Sequence, residues 1–169
     1  MSKKIVFISG VSGVGKSTIC VYIKESHLLD EYIAFDIDDL ENVNNYNESN
    51  YNMFYENAIK KAMTRSDDKN IILGSCINPN DFDKINILKD IDEYINILIT
   101  CSDNEIEKRL KKRDSSRNCS DDDFIKSQIE YQNYMIKHLD LYQLHLDNTT
   151  DSINNISNQI VKFIKENLE

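Results

Sequence analysis

The feature that most constrains the fold is a glycine-rich segment near the amino terminus. Residues 10–18 read GVSGVGKST, which matches the pattern GxxxxGK[ST] in full. The apolar run Ile5–Ile8 precedes the segment, and a stretch of helical period follows it. Glycines let the backbone turn tightly around an anion, and a helix N-terminus presents N–H groups to it. The segment therefore predicts a phosphate-binding loop between a buried strand and a helix.

Each residue type in this loop suits the phosphates of a nucleotide. Successive backbone N–H groups form a concave anion site, a lysine reaches the β- and γ-phosphates, and a hydroxyl can ligate Mg²⁺. We expect Lys16 to be catalytic and Ser17 to contact the metal. The residues expected to bind ATP are Gly10, Ser12, Gly13, Val14, Gly15, Lys16, Ser17 and Thr18.

Short apolar runs alternate with segments of helical period along the chain, which is typical of a parallel α/β sheet. The strands are expected at Ile5–Ile8, Tyr32–Phe35, Ile71–Leu73, Tyr94–Ile99 and, as a half-exposed edge, Tyr142–Leu146. Helices are expected at Lys16–Leu29, at the apolar stripe Tyr51–Ala62, from a Ser102–Glu105 capping box through Arg113, and at Ile153–Ile164. Ser120 with Asp123 predicts a further helix start, followed by the stripe Ile125, Ile129, Gln132, Ile136 and Leu139.

Length and composition favour one globular domain over residues 1–169, with 40% hydrophobic residues. The net charge of −9 disfavours nucleic acid or an anionic membrane as a partner, since both need a basic surface. The four cysteines show no CxxC spacing, and no signal or membrane-spanning segment is evident. We therefore expect a cytoplasmic protein, either a monomer or a homodimer.

The loop resembles that of the nucleoside, nucleotide, shikimate and gluconate kinases. The resemblance implies a three-layer α/β sandwich around a parallel sheet of about five strands, in the order 2-3-1-4-5. It also implies ATP and Mg²⁺ as cofactors, a small helical lid near 113–121, and an acceptor-binding segment near 38–64.

The acidic sequence DIDD at 36–39 follows the second strand and resembles the DxD of shikimate-kinase-like enzymes. Carboxylates at the carboxyl end of a parallel strand point into the crevice where ligands bind. The resemblance implies that Asp36 is on the metal side and that Asp38 orients an acceptor hydroxyl or takes its proton. The alternative is an acidic turn that caps the next helix, with Asp39 as the cap.

The sequence RLKKR at 109–113 resembles the RxxxR that begins the lid in these kinases, and Arg117 resembles the lid arginine. Spacing by four would place Arg109 and Arg113 on one helix face. The resemblance implies that Arg109 packs on adenine, while Arg113 and Arg117 bind phosphates and are catalytic. A solvated basic helix end is the alternative.

Residues 147–149, with sequence DNT, resemble the loop that wraps the adenine in these kinases, which assigns Asn148 and Thr149 to nucleotide binding. A plain strand-to-helix turn is an equal alternative. The third strand has no acid at its end, and no NKxD sequence occurs, so motor ATPases and GTPase switches are disfavoured.

The acceptor is expected to be a neutral or cationic hydroxyl compound, such as a nucleoside, a sugar or an aminated small molecule. Arg65 is the single arginine between the loop and Cys101, and a buried acceptor phosphate would need a cation. The candidate contacts are Asp38, Tyr46, Tyr51, Ser75 and Asn78.

The alternatives are a nucleoside-monophosphate kinase, a polynucleotide end kinase, and an ATP-binding regulator or toxin-like protein that acts on a macromolecule. The choice between ATP and GTP stays open.

Overall fold

A computed structural model describes residues 3–42, 44, 46–113 and 119–168. Its strands are β1 Lys4–Ser9, β2 Tyr32–Asp36, β3 Asn70–Ser75, β4 Glu93–Thr100 and β5 Leu144–Asp147. Its α-helices are α1 Lys16–Glu25, α2 Tyr51–Arg65, α3 Asp103–Lys111, α4 Asp122–Ile136 and α5 Ile153–Leu168. Short 3-10 turns cover Ile37–Asp39, Glu48–Asn50, Pro79–Lys84, Asn86–Asp90 and Leu139–Leu141.

The strands form one five-stranded parallel sheet in the order β2-β3-β1-β4-β5. The predicted fold class and strand order are confirmed. Ser9 lies opposite Ser75 in β3 and Leu98 in β4, while Asp36 lies opposite Gly74. The carboxyl ends of the strands therefore meet along one edge of the sheet, where crevices form in open parallel sheets.

Two apolar layers cover the faces of the sheet. Because side chains alternate along a strand, Val6 and Ile8 pack on one face with α1, α3, α4 and α5. Ile5 and Phe7 pack on the opposite face with α2 and the 3-10 turns that follow β3. The face under the turns carries no long helix after β3, so short backbone segments border the cleft on that side.

Several predicted boundaries are wrong by a few residues. Helix α1 ends at Glu25 rather than Leu29, because the Ser26 hydroxyl donates to the Tyr22 carbonyl and His27 has a left-handed φ of 52°. Strand β5 begins at Leu144 rather than Tyr142, after the Leu139–Leu141 turn. At α3, Ser102 caps the helix as predicted, but the Glu105 carboxylate binds Lys108 and Arg109 instead of completing the capping box.

Helix α4 departs from its predicted start and stripe. Its N-cap is Asp121, not Ser120, and the Asp121 carboxylate accepts from the Asp123 N–H. Ile136 and Leu139 are each 38% exposed, so the apolar stripe ends earlier than predicted. Gln132 does lie on the buried face, at 3% exposure, where its side chain binds the backbone of Cys101.

Candidate active site

The glycine loop joins β1 to α1 at the carboxyl edge of the sheet. Gly13 and Gly15 have φ values of 92° and 102°, in the left-handed region that favours glycine. A Cβ on Gly15 would lie 2.7 Å from the Asn148 side-chain nitrogen, and one on Gly13 would lie 3.2 Å from Leu110. Any side chain at Gly15 would thus be strained twice, by its backbone conformation and by its neighbour. The local geometry explains why the loop needs glycine there.

Lys16 is the first residue of α1, and its side chain turns back onto the glycine loop. Its side chain is nearly buried, at 9% exposure, and Nζ donates to the Val11 carbonyl at 2.9 Å. A lysine is rarely buried unless its ammonium is paired or hydrogen-bonded. The contact holds the charge against the loop backbone, where it would meet the phosphates of a nucleotide.

Ser17 and Asp36 bring the first helix and the second strand together. The Ser17 hydroxyl donates to Asp36 Oδ2 at 2.6 Å. Mg²⁺ is usually bound in nucleotide enzymes by one or two protein oxygens with substrate phosphates and water, so this pair suits the metal of a bound Mg-ATP. The described residues contain no group of three or more His, Cys, Asp or Glu side chains that could hold a metal ion.

The acidic turn after β2 serves partly as a cap. Asp36 accepts from the Asp38 N–H at 3.1 Å, and Asp39 Oδ2 accepts from the Asp36 N–H at 3.4 Å. The capping alternative is realised with Asp36 rather than Asp39 as the N-cap, while Asp39 completes the capping box and Asp36 also holds Ser17. Asp38 contributes its N–H to this turn, and the residue is exposed.

Asn148 and Arg109 brace the back of the loop. The Asn148 side chain is almost fully buried and donates to the Val14 carbonyl at 2.7 Å. The Arg109 guanidinium donates to the carbonyls of Gly13, Val14 and Asn148 at 3.3, 3.4 and 2.9 Å. Both side chains therefore donate hydrogen bonds to backbone carbonyl groups of the loop. Thr149 accepts from the Ser102 N–H at 2.7 Å and so joins the β5–α5 turn to α3.

Tyrosines and a cysteine line the opposite side of the cleft. Tyr51 contacts Tyr46 and Tyr55 edge-to-face, with ring centroids 6.2 and 4.9 Å apart. The Tyr131 hydroxyl donates to the Cys76 carbonyl at 3.0 Å, and the Cys76 thiol donates to the Gly10 carbonyl at 3.0 Å. Burial raises the pKa of Tyr51, Tyr55 and Tyr131 above the ordinary value, so these phenols stay neutral. This tyrosine cluster (Tyr46, Tyr51, Tyr55 and Tyr131) is uncharged and borders the first loop residue through Cys76.

Two of the predicted acceptor contacts, Ser75 and Asn78, differ from the prediction in burial or in partners. Ser75 is fully buried at the end of β3, and its hydroxyl has no hydrogen-bond partner among the described residues. Asn78 caps the Pro79–Lys84 turn: its side chain accepts from the Asn80 N–H, and its N–H donates to the Tyr51 hydroxyl at 2.7 Å. The prediction that Ser75 faces an acceptor is wrong. Asn78 contacts the tyrosine cluster through its backbone.

A groove of about 490 Å³ lies between the start of α2 and the Pro79–Lys84 turn. Among its lining residues, Glu48 and Asp81 are acidic, while Lys84 pairs with Asp81 at 2.5 Å. Neither Asp36, Asp38 nor any residue of the glycine loop lines this groove.

A family model described as an AAA domain matches residues 6–131, which includes the glycine loop, the acidic turn and the tyrosine cluster. The chain belongs to this AAA-domain family. The match covers well over half of the chain and identifies it as a P-loop NTPase.

Solved structures support the fold along the whole chain. Shikimate kinase from Acinetobacter baumannii, solved with shikimate, is 13% identical with a TM-score of 0.70, covering 100% of this chain and 97% of that one. A tunicamycin resistance protein from Deinococcus radiodurans is 14% identical, with a TM-score of 0.68 and coverage of 96% and 95%. The APS kinase of Mycobacterium tuberculosis, solved with AMPPNP and APS, is 18% identical, with a TM-score of 0.65 and coverage of 97% and 98%. No curated protein matches the chain by sequence.

The lid predicted for this AAA-domain protein lies between α3 and α4. Helix α3 ends at Lys111, so Arg113 follows the helix end, and its N–H donates to the Leu110 carbonyl at 3.1 Å. The prediction that Arg109 and Arg113 share one helix face is therefore wrong. Arg117 lies outside the described residues, and its role stays a prediction. No helix in the described ranges is long and apolar enough to cross a membrane.

Sequence reasoning missed the polar side chains of α4 that reach the sheet edge. Gln128 accepts from the Ser12 N–H at 2.9 Å, and Gln132 makes two hydrogen bonds to the backbone of Cys101, at 3.0 and 2.8 Å. One signal existed: a glutamine at position 132 interrupts an otherwise apolar stripe, and a buried polar side chain must have a partner. Gln128 carried no such signal, since a glutamine on an exposed helix face is ordinary.

Proposed function

We propose that this protein is a kinase that transfers the γ-phosphoryl group of Mg-ATP to a hydroxyl of a small, uncharged or cationic acceptor. The observation that carries the proposal is the 2.6 Å hydrogen bond between Ser17 and Asp36. It joins the phosphate loop to the acidic turn at the sheet edge. The nucleotide side and the acceptor side of the cleft therefore meet at a pair suited to a divalent metal.

The residues of the chain divide the work of phosphoryl transfer among them. Bound Mg-ATP would supply the phosphoryl group and a divalent charge. Loop N–H groups and Lys16 would hold the phosphates, and Asp36 would orient Ser17 toward the metal. Asp38, exposed at the cleft edge, would orient the acceptor hydroxyl and accept its proton. Arg113 and Arg117 would cover the transferring group when the lid closes, which also keeps water from the reaction.

The charge of the acceptor side favours an acceptor without phosphate or carboxylate. Three cationic side chains near it are already engaged in the described part of the chain. Lys61 binds the Leu40 carbonyl and Glu41, Arg65 binds the Asp39 carbonyl, and Lys84 binds Asp81. A buried anion without a cation is costly, whereas a neutral ring or an ammonium group suits tyrosines and carboxylates.

The structural neighbours support the reaction class. Two of them are named as kinases of small molecules, shikimate kinase and APS kinase. Identity with these neighbours is 13% and 18%, so the likeness shows the fold, and the reaction is our inference from the loop and the metal pair.

The experiment measures ADP release from Mg-ATP across a panel of nucleosides, nucleoside monophosphates, sugars and amino sugars, each against a blank without acceptor. Lys16→Ala is the inactive control. We expect release above the blank with at least one nucleoside, sugar or amino sugar. Turnover with monophosphates only would replace our acceptor class by a nucleoside-monophosphate kinase. Release at the blank rate with every compound would contradict a small-molecule kinase and favour a regulator of a macromolecule.

A further inference from the structure

Helix α4 is tied to the sheet edge by three side chains within two helical turns. Tyr131 donates to the Cys76 carbonyl after β3, and Gln132 binds both backbone groups of Cys101 after β4. One turn nearer to the lid, Gln128 binds the Ser12 N–H of the phosphate loop. The helix after the lid therefore contacts the segments that follow β1, β3 and β4.

The Gln128 contact differs from the other two in what it occupies. Tyr131 and Gln132 bind backbone groups that follow strands, at positions a nucleotide phosphate has no reason to use. Ser12 N–H belongs to the loop whose amides form the anion site. The Gln128 Oε1 atom accepts from this N–H at 2.9 Å, and a phosphate oxygen would compete for the same donor.

A glutamine can exchange an acceptor for a donor without leaving its place. Its carboxamide carries an oxygen that accepts and an NH₂ group that donates twice. If a terminal phosphate takes the Ser12 N–H, rotation of the Gln128 carboxamide would turn its NH₂ group toward that phosphate. Gln128 is only partly buried, so the side chain has room to rotate, while Gln132 and Tyr131 keep the helix in position.

We propose that Gln128 contacts the terminal phosphate of the bound triphosphate and so makes the loop prefer ATP to ADP. The inference rests on the proposed function, since it takes the loop to be a nucleotide site. It adds a residue outside the loop that distinguishes a triphosphate from a diphosphate. Because Gln128 is part of α4, its contact would also link the γ-phosphate to the helix that follows the lid.

The test compares the affinities of the full-length protein for Mg-AMPPNP and Mg-ADP by isothermal titration calorimetry. A hydrogen bond to a charged group contributes about 1.5–3 kcal/mol, so Gln128→Ala should weaken AMPPNP binding on the order of 10-fold or more. ADP binding should change by less than about 3-fold, since it lacks the phosphate concerned. Gln128→Glu should weaken AMPPNP binding further. A carboxylate repels the phosphate, and it continues to accept the hydrogen bond from the Ser12 N–H.

Gln159→Ala is the matched control, since Gln159 is an exposed glutamine on α5 whose side chain binds Asp151. It should leave both affinities unchanged. Equal weakening of AMPPNP and ADP by Gln128→Ala would overturn the proposal, because it would make Gln128 a strap that merely shapes the loop. Unchanged AMPPNP affinity in both Gln128 variants would overturn it as well. Failure of the wild-type protein to bind either nucleotide would instead contradict the proposed function, and circular dichroism identifies any variant that has not folded.

Discussion

The two sides of the cleft are built in different ways. On the nucleotide side, the loop is braced by side chains from three other elements: Arg109 on α3, Gln128 on α4 and Asn148 after β5. On the proposed acceptor side, short 3-10 turns and Tyr51 border an open groove, and Tyr46 is 43% exposed. One side is tied by hydrogen bonds from three elements, and the other is an open surface.

This difference explains what each side contributes to function. Phosphates are the same in every nucleotide, so their site gains from a fixed backbone whose left-handed glycines are held in place by neighbouring side chains. Acceptors differ in shape and charge, and specificity is usually carried by loops on a rigid scaffold. The experiments below separate the two sides, in order of expected effect.

The largest effect is expected at Lys16. Lys16→Ala should lower kcat by about 10²–10³-fold, the usual cost of removing one donor to developing charge. The matched control is Lys24→Ala, an exposed lysine on the last turn of the same helix, which should retain the wild-type rate. Steady-state ADP release checks both variants. Full activity of Lys16→Ala would make the loop irrelevant to catalysis.

The next effect concerns the brace behind the loop. Gly15→Ala should lower the free energy of unfolding by about 1–3 kcal/mol from the left-handed conformation alone. The contact with the Asn148 side chain, 2.7 Å from the new Cβ, adds to this. Urea unfolding of Gly15→Ala, Asn148→Ala and the double variant forms a double-mutant cycle. The double variant should lose less than the sum of the two single variants. Additive losses would show that the new Cβ at position 15 and the Asn148 side chain do not interact.

The two acidic residues should separate the metal from the acceptor. Asp36→Asn should raise the Mg²⁺ concentration needed for half-maximal rate, since the neutral amide binds Ser17 and the metal weakly. Asp38→Asn should leave that concentration unchanged and lower kcat by about 10²-fold, the lower end of the usual contribution of a general base. Magnesium titrations of the rate decide between them. A shifted Mg²⁺ requirement in the Asp38 variant instead would exchange the two roles.

The smallest effect is a dependence of stability on alkaline pH from the tyrosine cluster. Burial raises the pKa of Tyr51 and Tyr131 in the folded protein. Their stabilisation is therefore complete below the unfolded pKa near 10 and is lost as the pH rises above it. At half a pH unit above that value, each buried tyrosine should lower the free energy of unfolding by roughly 0.8 kcal/mol. Burial beside Asp36 also raises the pKa of Cys20 to about 12, which adds a loss at slightly lower pH.

Urea unfolding between pH 8 and 10.5 measures this loss. The double variant Tyr51→Phe and Tyr131→Phe should show a flatter dependence, because phenylalanine does not ionise. An equal slope in the variant and the wild type would mean that these phenols are as accessible as those of the unfolded chain.

The nucleotide side could be predicted from the sequence because its requirements are local. The spacing of Gly13, Gly15 and Lys16 expresses backbone geometry over a few residues, and strand order followed from the resemblance. The sequence also assigned Ser17 and Asp36 to one metal, Ser17 by the loop motif and Asp36 by the resemblance, and the two side chains are hydrogen-bonded in the structure.

The rest depends on contacts between distant segments, which a single sequence does not express. Asn148 contacts Val14 across 134 positions, and Gln128 contacts Ser12 across 116. An asparagine or a glutamine in a sequence does not indicate which distant residue it will bind. Ser75 was misassigned because it is the last residue of β3, and its burial there depends on distant segments that pack over the strand end. Helix ends at Glu25 and Lys111 were set by capping, which overrides a continuing apolar or basic pattern.

The proposed kinase reaction is tested most directly by following where the γ-phosphorus of ATP goes. Phosphorus NMR of Mg-ATP with the purified protein and a pool of nucleosides, sugars and amino sugars follows that atom without assuming an acceptor. We expect a new phosphomonoester signal to grow as the ATP signals fall, and Lys16→Ala to abolish it. Inorganic phosphate as the sole product, at the same rate with and without the pool, would contradict a small-molecule kinase.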